Sequence, residues 1–354
     1  MTRMRGLNIG GWLSQIDAIQ EKDPEKFPGV DVHMETFIGE SDYANVSSWD
    51  FDHVRVPVDS YLFFDDDDTP VKSRIAHLDR AVNLAKQNNL KFILDLHECP
   101  GHDFADSTHS PVQKLFADEA YIKKAEKIWA CLSERYGEHG HVLFETLNEP
   151  VAPSAKIWNV IKDRLCREIR RHAPKSAIIT GSNMWNWPST FPDLTPFDDD
   201  NVIYSVHFYE PLLFTHQNAA WLHEPETKIV RTYPSDYCPG FTRKYDLVMS
   251  AGAWDRDRMV REFSPVNDFR KKYGVPVICN EFGVYTPVEL EAQLRWYDDL
   301  LSVLKEMEIG FSYWNYKNLD FGIISTGERL HANLPQYDNP ERINHPVLNV
   351  LRRY

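Results

Sequence analysis

The pattern that most constrains this chain is a regular alternation of short apolar segments with longer amphipathic ones. The short segments are rich in β-branched residues and lie at 4–9, 53–56, 91–96, 142–147, 177–181, 202–207, 276–280 and 310–314. Between them, apolar residues recur at helical spacing, as at Ile157, Ile161 and Leu165, and Ser154 and Pro287 are expected at helix starts. Strands that alternate with helices form a parallel sheet, and eight of them close a barrel. We therefore predict an α/β fold, a (β/α)8 TIM barrel.

The rival fold is an open, doubly wound sheet. Such a sheet usually carries a glycine-rich phosphate-binding turn, G-x-G-x-x-G, after its first strand. The residues at this place read Gly10-Gly11-Trp12-Leu13 and do not provide that turn. The chain also has no internal repeat and no Gly/Ser- or Pro-rich linker. We therefore predict a single barrel domain over residues 1–354.

Charge and composition exclude several classes of function. The 39 Lys and Arg residues stand against 53 Asp and Glu, and the net charge of −14 opposes binding to nucleic acid or to anionic membranes. No segment approaches the roughly 20 apolar residues that cross a bilayer. The five scattered cysteines match neither a disulfide framework nor a metal site. Because no signal-peptide core precedes the first predicted strand, we expect a cytoplasmic protein or a secreted one whose leader was removed.

Polar residues fall repeatedly at the carboxyl ends of the predicted strands. In a (β/α)8 barrel these ends converge on one pocket above a packed core. The residues are Arg55, His97, Glu98, Asn148, Glu149, His207, Tyr209, Glu281 and Trp314. Six strand ends that follow the pattern predict an active site.

Two carboxyl groups among these residues fit the hydrolysis of a glycosidic bond. That reaction needs one protonated carboxyl group to release the leaving oxygen and one ionised group to attack carbon or to activate water. Glu149 and Glu281 follow the fourth and seventh strands, across the mouth from each other. A separation of roughly 5 Å would imply a covalent intermediate and retention of configuration.

The neighbours of the two glutamates indicate how their roles divide. Arg55 near Glu281 would favour its carboxylate form, and the hydroxyl of Tyr209 could donate a hydrogen bond to it. Glu149 stands beside the amide of Asn148 under aromatic surface, where loss of solvent raises the pKa of a carboxyl group. Asn148 is also placed to bind the 2-hydroxyl of a sugar.

The ordered motifs resemble glycoside hydrolase family 5 over nearly the whole chain. The matching segments are His-Val-Arg-Val-Pro at 53–57, Asp-Leu-His-Glu at 95–98, Thr-Leu-Asn-Glu-Pro at 146–150, His-Phe-Tyr at 207–209, Asn-Glu-Phe-Gly at 280–283 and Tyr-Trp-Asn at 313–315. The resemblance implies that Glu149 is the acid/base and Glu281 the nucleophile, with no metal and no cofactor. The rest of the site that it implies is Arg55, His97, Asn148, His207, Tyr209 and Trp314.

Within that family, the segments at 5–13 and 35–42 look like the exo-β-1,3-glucanases. We therefore expect a β-glucan substrate, either polysaccharide or oligosaccharide, from which glucose is released. Gln15 and Asp17, which follow the first strand, are expected to bind the terminal sugar. Trp314 offers a flat apolar floor for the sugar ring.

Further aromatic platforms are expected in the loops after the fifth and sixth strands. They are Trp185, Trp187 and Trp221. The segment 209–253, which includes Phe241, is predicted to be a long irregular loop over the mouth of the barrel. A loop of this length inside a compact domain is usually functional.

Several alternatives stay open. The segment at 207–217 looks more like bacterial endoglucanases, so an endo-β-1,4-glucanase or a mannanase with an open cleft is the first rival. A barrel that binds carbohydrate without catalysis is the rival from another class. Arg55 could instead pair structurally with Asp95, and Trp185 and Trp187 could serve packing. Two metal sites are less favoured, zinc at His97, Glu98 and His102, and calcium at 65–68.

Overall fold

The computed structural model describes residues 3–22, 24–25, 27–103, 113–222, 228–237, 252–327, 329–331 and 333–354. Eight of its strands are parallel: β1 (Arg5–Asn8), β2 (His53–Asp59), β3 (Lys91–Glu98), β4 (Val142–Glu145), β5 (Ile178–Gly181), β6 (Val202–Phe208), β9 (Val277–Phe282) and β10 (Gly310–Tyr313). Between β6 and β9 in the chain lie two short strands, β7 (Ser235–Tyr237) and β8 (Gly252–Trp254). The eight parallel strands close one barrel in the order β1-β2-β3-β4-β5-β6-β9-β10. The predicted (β/α)8 barrel is confirmed.

Helices alternate with the barrel strands along the chain. They are α1 (Ile16–Lys22), α2 (Val30–Thr36), α3 (Glu40–Ser48), α4 (Lys72–Gln87), α5 (Glu119–Tyr136), α6 (Ala155–His172), α7 (Asn183–Asn186), α8 (Leu212–Thr215), α9 (Arg256–Tyr273), α10 (Leu290–Glu306) and α11 (His345–Arg353). The side chain of Ser154 caps α6 by accepting a hydrogen bond from the backbone N–H of Ile157. Helix α10 begins at Leu290 after a Glu289 cap, so the start predicted at Pro287 is wrong.

A separate apolar layer fills the barrel below its mouth. Its side chains come from six of the barrel strands or the residues next to them, and all are buried. They are Met4, Ile93, Leu143, Ile179, Ile203 and Ile278. Burying each of these side chains contributes about 1.5–3 kcal/mol. Because this layer is packed, the chemistry belongs above it, at the carboxyl ends of the strands.

The segment after β6 is less irregular than the sequence predicts. It contains helix α8, and β7 pairs with β8 in an antiparallel ladder. Phe241, named above with this segment, lies outside the described residues. Within the part of the chain that the structure describes, every helix is too short or too polar to span a bilayer.

Candidate active site

The mouth of the barrel is organised around the guanidinium of Arg55, which is fully buried on β2. Its Nη1 donates to Oε1 of Glu281 at 2.6 Å. Its Nη2 donates to Oδ1 of Asn148 at 3.0 Å. The same Nη2 lies 3.0 Å from Oδ2 of Asp95. Arg55 therefore contacts Glu281, as predicted for an active-site residue. It also pairs with Asp95, which is the structural role named above as the alternative.

The two predicted catalytic glutamates face each other across the mouth. One carboxylate oxygen from each and a ring nitrogen of His207 all lie within 4.8 Å of one another. A separation near 5 Å is typical of retaining glycosidases and is too short for the water of an inverting mechanism. Glu149 has a backbone φ of +43°, a left-handed conformation that is uncommon for glutamate and often found at active sites.

Each glutamate has its own hydrogen-bonding partners. The hydroxyl of Tyr209 donates to Oε2 of Glu281 at 3.1 Å. The Nδ1 atom of His207 lies 2.8 Å from Oε1 of Glu149. Together, Arg55 and Tyr209 place one hydrogen-bond donor on each carboxylate oxygen of Glu281.

The electrostatic environment of Glu149 favours its protonated form. Burial raises the pKa of Glu149 to about 8, although the positive charge of Arg55 opposes the shift. Burial also lowers the pKa of His207 to about 4 and that of His97 to about 3. The two imidazoles are therefore neutral near pH 7. The pKa of Glu149 is shifted in the same direction that the sequence predicts for it.

Trp314 directly follows β10 and packs against residues at the ends of neighbouring strands. Its ring stacks on the ring of His97, with the centroids 6.0 Å apart and the planes 5° from parallel. The Nδ1 of His97 lies 2.7 Å from Oδ2 of Asp95, which fixes the orientation of the imidazole. A Cβ atom on Gly10 would come within 2.6 Å of the Trp314 ring, so the close approach requires glycine. Trp314 is thus held between β1 and β3.

The remaining predicted binding residues lie around the rim. Gln15 is half-buried and Asp17 is exposed after β1, and the backbone N–H of Gln15 donates to Oδ2 of Asp59 at 2.7 Å. Trp185 and Trp187 form a pair after β5, with ring centroids 5.1 Å apart. Both rings are half-buried. None of these four side chains joins the hydrogen-bond network around Arg55 among the described contacts.

Trp221 lies after β6 and leaves 43% of its surface exposed. Its ring contacts the rings of Phe321 and Tyr285, and Phe321 in turn contacts Tyr209. Trp221 is therefore joined to the pocket through one aromatic ring, and its exposed part is available to a ligand.

Two residues of the site were not predicted from the sequence. Glu145 accepts from Nε and Nη2 of Arg55 at 2.7 and 2.9 Å, and Asn8 accepts from Nη1 at 3.0 Å. Glu145 stands four residues before Glu149 in an otherwise apolar strand. A charged residue at such a position needs a buried partner, and this was the signal that could have revealed it.

Residues of the two metal alternatives have partners within the protein. A ring nitrogen of His102 lies 2.8 Å from the carbonyl oxygen of Asn148. Asp68 pairs with Lys124 at 3.0 Å. Among the described residues, the one group of histidine and acidic side chains close enough to share an ion is Glu149, His207 and Glu281. Arg55 already places a positive charge on that group.

Comparisons with known proteins give a matching family, relatives in sequence and a shared fold. The family described as Cellulase (glycosyl hydrolase family 5) matches residues 18–320. Endoglucanase C of Acetivibrio thermocellus is 34% identical over 330 residues, covering 90% of this chain and 92% of that protein. Cellodextrinase A of Ruminococcus flavefaciens is 31% identical over 297 residues, covering 83% and 80%. The crystal structure of endoglucanase Cel5A from Thermotoga maritima shares the fold, with a TM-score of 0.75 at 22% identity over 98% of this chain and 96% of that one.

Proposed function

The chain belongs to the cellulase family, glycosyl hydrolase family 5, and from this premise we propose that it is an endo-β-1,4-glucanase that acts with retention of configuration. That it is a glycosyl hydrolase of β-glucans follows from the family and from its relatives. The single observation that carries the mechanism is the approach of Glu149 and Glu281 to within 4.8 Å. Arg55 donates a hydrogen bond to Glu281, whereas Glu149 lies in a buried environment that raises its pKa.

In the first step, the carboxylate of Glu281 attacks the anomeric carbon of the bound sugar. Glu149 gives its proton to the glycosidic oxygen as that bond breaks, and a covalent glycosyl-enzyme forms. In the second step, the ionised Glu149 takes a proton from water, which attacks the same carbon and releases Glu281. Arg55 and Tyr209 bind the carboxylate of Glu281 before the attack and after its release.

Two polar atoms in the pocket are available to substrate hydroxyls. Nδ2 of Asn148 and Nε2 of His207 are buried without a hydrogen-bond partner among the described residues. Arg55 fixes the amide of Asn148 by donating to its oxygen, so the NH2 group is left for the sugar. The 2-hydroxyl is a suitable acceptor, and a hydrogen bond to it strengthens in the transition state.

Two features support an endo-acting β-1,4-glucanase over the exo-β-1,3-glucanase expected from the sequence. The relatives that are 31–34% identical and matched over 80–92% of their own length are named endoglucanase and cellodextrinase. Candidate binding groups also lie on opposite sides of the mouth, since β1 and β5 are four strands apart in the closed order. Gln15 lies on the first side, and Trp185 and Trp187 lie on the second. A glucan that contacts both sides passes across the pocket instead of ending in it.

Product analysis tests this assignment. Carboxymethylcellulose, lichenan, laminarin and mannan are compared by reducing-end release and by viscosity. We expect a rapid fall in the viscosity of carboxymethylcellulose and mixed oligosaccharides from lichenan. Glucose as the main early product from laminarin, with no action on carboxymethylcellulose, would contradict the endo-β-1,4 assignment and favour the exo-β-1,3 alternative. A Glu281→Gln protein is the matched inactive control.

A further inference from the structure

Three buried carboxyl groups surround the guanidinium of Arg55. Glu281 is the proposed nucleophile, whereas Asp95 and Glu145, which are 0% and 1% exposed, have no part in the steps described above. Burying two extra acidic groups is costly unless they are paired and hydrogen-bonded. Both are paired with Arg55, which also binds Glu281, and this shared partner connects them to the catalytic pair.

Glu145 binds Arg55 through a bidentate contact. Its two carboxylate oxygens accept from Nε and Nη2 at 2.7 and 2.9 Å. Burial raises the pKa of Glu145 and the charge of Arg55 opposes the rise. Paired N–H donors facing both oxygens are nevertheless the geometry of an ionised carboxylate, since a protonated carboxyl group has less acceptor capacity. This contact fixes one edge of the guanidinium and leaves Nη1 for Glu281 at 2.6 Å and Asn8 at 3.0 Å.

Asp95 supports the same arrangement from β3. Its Oδ2 lies 3.0 Å from Nη2 of Arg55 and 2.7 Å from Nδ1 of His97. Asp95 thus links the guanidinium to the imidazole that stacks on Trp314.

We propose that Glu145, supported by Asp95, is a positioning residue for hydrolysis: it turns Arg55 toward Glu281 and balances the positive charge of Arg55 beside the acid Glu149. The inference rests on the proposed function, because it assigns a role only if Glu149 is the acid. Glu145 acts through Arg55 and through its charge, without touching the sugar.

The charges around Glu149 agree with this role. The titratable groups of the site are Arg55, Asp95, His97, Glu145, His207, Tyr209, Glu210 and Glu281. Burial is the largest cause that raises the pKa of Glu149, and Arg55 opposes it. The negative charges of Asp95 and Glu145 raise that pKa further. Without these two negative charges, the positive charge of Arg55 would lower the pKa of Glu149 further, and Glu149 would lose its proton at a lower pH.

The test is the pH profile of kcat/KM for the Glu145→Gln variant on a cello-oligosaccharide, whose poor leaving group needs the acid. Removing the negative charge lowers the pKa of Glu149, so the fall in activity at alkaline pH should begin about one pH unit lower than in the wild type. This shift of the alkaline fall should be absent when 2,4-dinitrophenyl cellobioside is the substrate, because its leaving group needs no proton. A purely structural role for Glu145 would lower activity without moving this part of the profile.

The matched control is Glu126→Gln. Glu126 makes the same kind of bidentate contact with Arg164, at 2.7 and 3.0 Å, but on the outside of the barrel between α5 and α6. This control should leave the alkaline part of the profile where it is in the wild type.

If activity falls at the same alkaline pH in folded Glu145→Gln as in the wild type, the inference is overturned. If that variant is not recovered folded, Asp95→Asn is measured in the same way, and an unmoved profile there overturns the inference equally. A wild-type protein that cleaves no glucan or glucoside would instead refute the proposed function, so the two failures are distinguishable.

Discussion

Replacing Glu149 by alanine should remove both acid catalysis and the fall in activity at alkaline pH. With a pKa of about 8, the protonated form of Glu149 exceeds the ionised form about 100 to 1 at pH 6, and the ratio is about 1 to 10 at pH 9. Wild-type kcat/KM on cello-oligosaccharides should therefore fall about tenfold for each pH unit above about 8. Initial rates from about pH 5 to about pH 10 measure this fall.

The size of the loss depends on the leaving group. Positioned acid catalysis contributes about 10²- to 10⁴-fold, so Glu149→Ala should lose that much on cello-oligosaccharides. On 2,4-dinitrophenyl cellobioside the first step needs no proton, and glycosyl-enzyme should accumulate because the second step lacks its base. Azide, a nucleophile that needs no base, should restore turnover and yield a β-glycosyl azide.

The control is Glu126→Ala, which removes an acidic side chain from the barrel exterior. It should neither lower kcat/KM on cello-oligosaccharides nor remove the alkaline fall. If the kcat/KM of Glu149→Ala on cello-oligosaccharides still falls at alkaline pH, Glu149 is not the titrating acid. A folded variant that azide does not rescue would refute the assignment as well.

The contacts of the site give three further predictions. A 2-deoxy-2-fluoro cellobiosyl fluoride should label Glu281 covalently, and a label mapped to any other residue would contradict its role as nucleophile. Tyr209→Phe loses a hydrogen bond to a charged group, worth about 1.5–3 kcal/mol, so kcat/KM should fall about 10- to 100-fold with little change in melting temperature. Trp221→Ala should raise KM about 3- to 10-fold on cellohexaose but not on an aryl cellobioside, whereas the exposed Val230→Ala should leave both values unchanged.

The barrel and the candidate catalytic pair could be predicted because both depend on local patterns. Strand and helix periods are visible in consecutive residues, and a closed parallel barrel brings the residues after each strand to one mouth. Glu149 and Glu281 meet for this reason, although they are far apart in the sequence. The contact of Arg55 with Glu281 follows from the same rule.

The support around the pair could not be predicted in the same way. Asn8 and Glu145 fall inside the strands predicted from the sequence, at 4–9 and 142–147, and the role of a polar residue there becomes visible only when its partner on another strand is known. The antiparallel ladder of β7 and β8 joins segments that are not adjacent in the chain, and a local residue pattern does not show such pairing. The choice between exo and endo action depends on loops around the rim, and sequence resemblance to two groups of the family pointed in two directions.

The stereochemistry of the first product tests the central claim most directly. Hydrolysis of cellopentaose in deuterated buffer is followed by proton NMR, and the anomeric signals are recorded before mutarotation. The approach of Glu149 and Glu281 to within 4.8 Å predicts that the β-anomer of the new reducing end appears first and that the α-anomer grows in later. An α-anomer that appears first would mean inversion through a single displacement, and the roles assigned to both glutamates would be wrong.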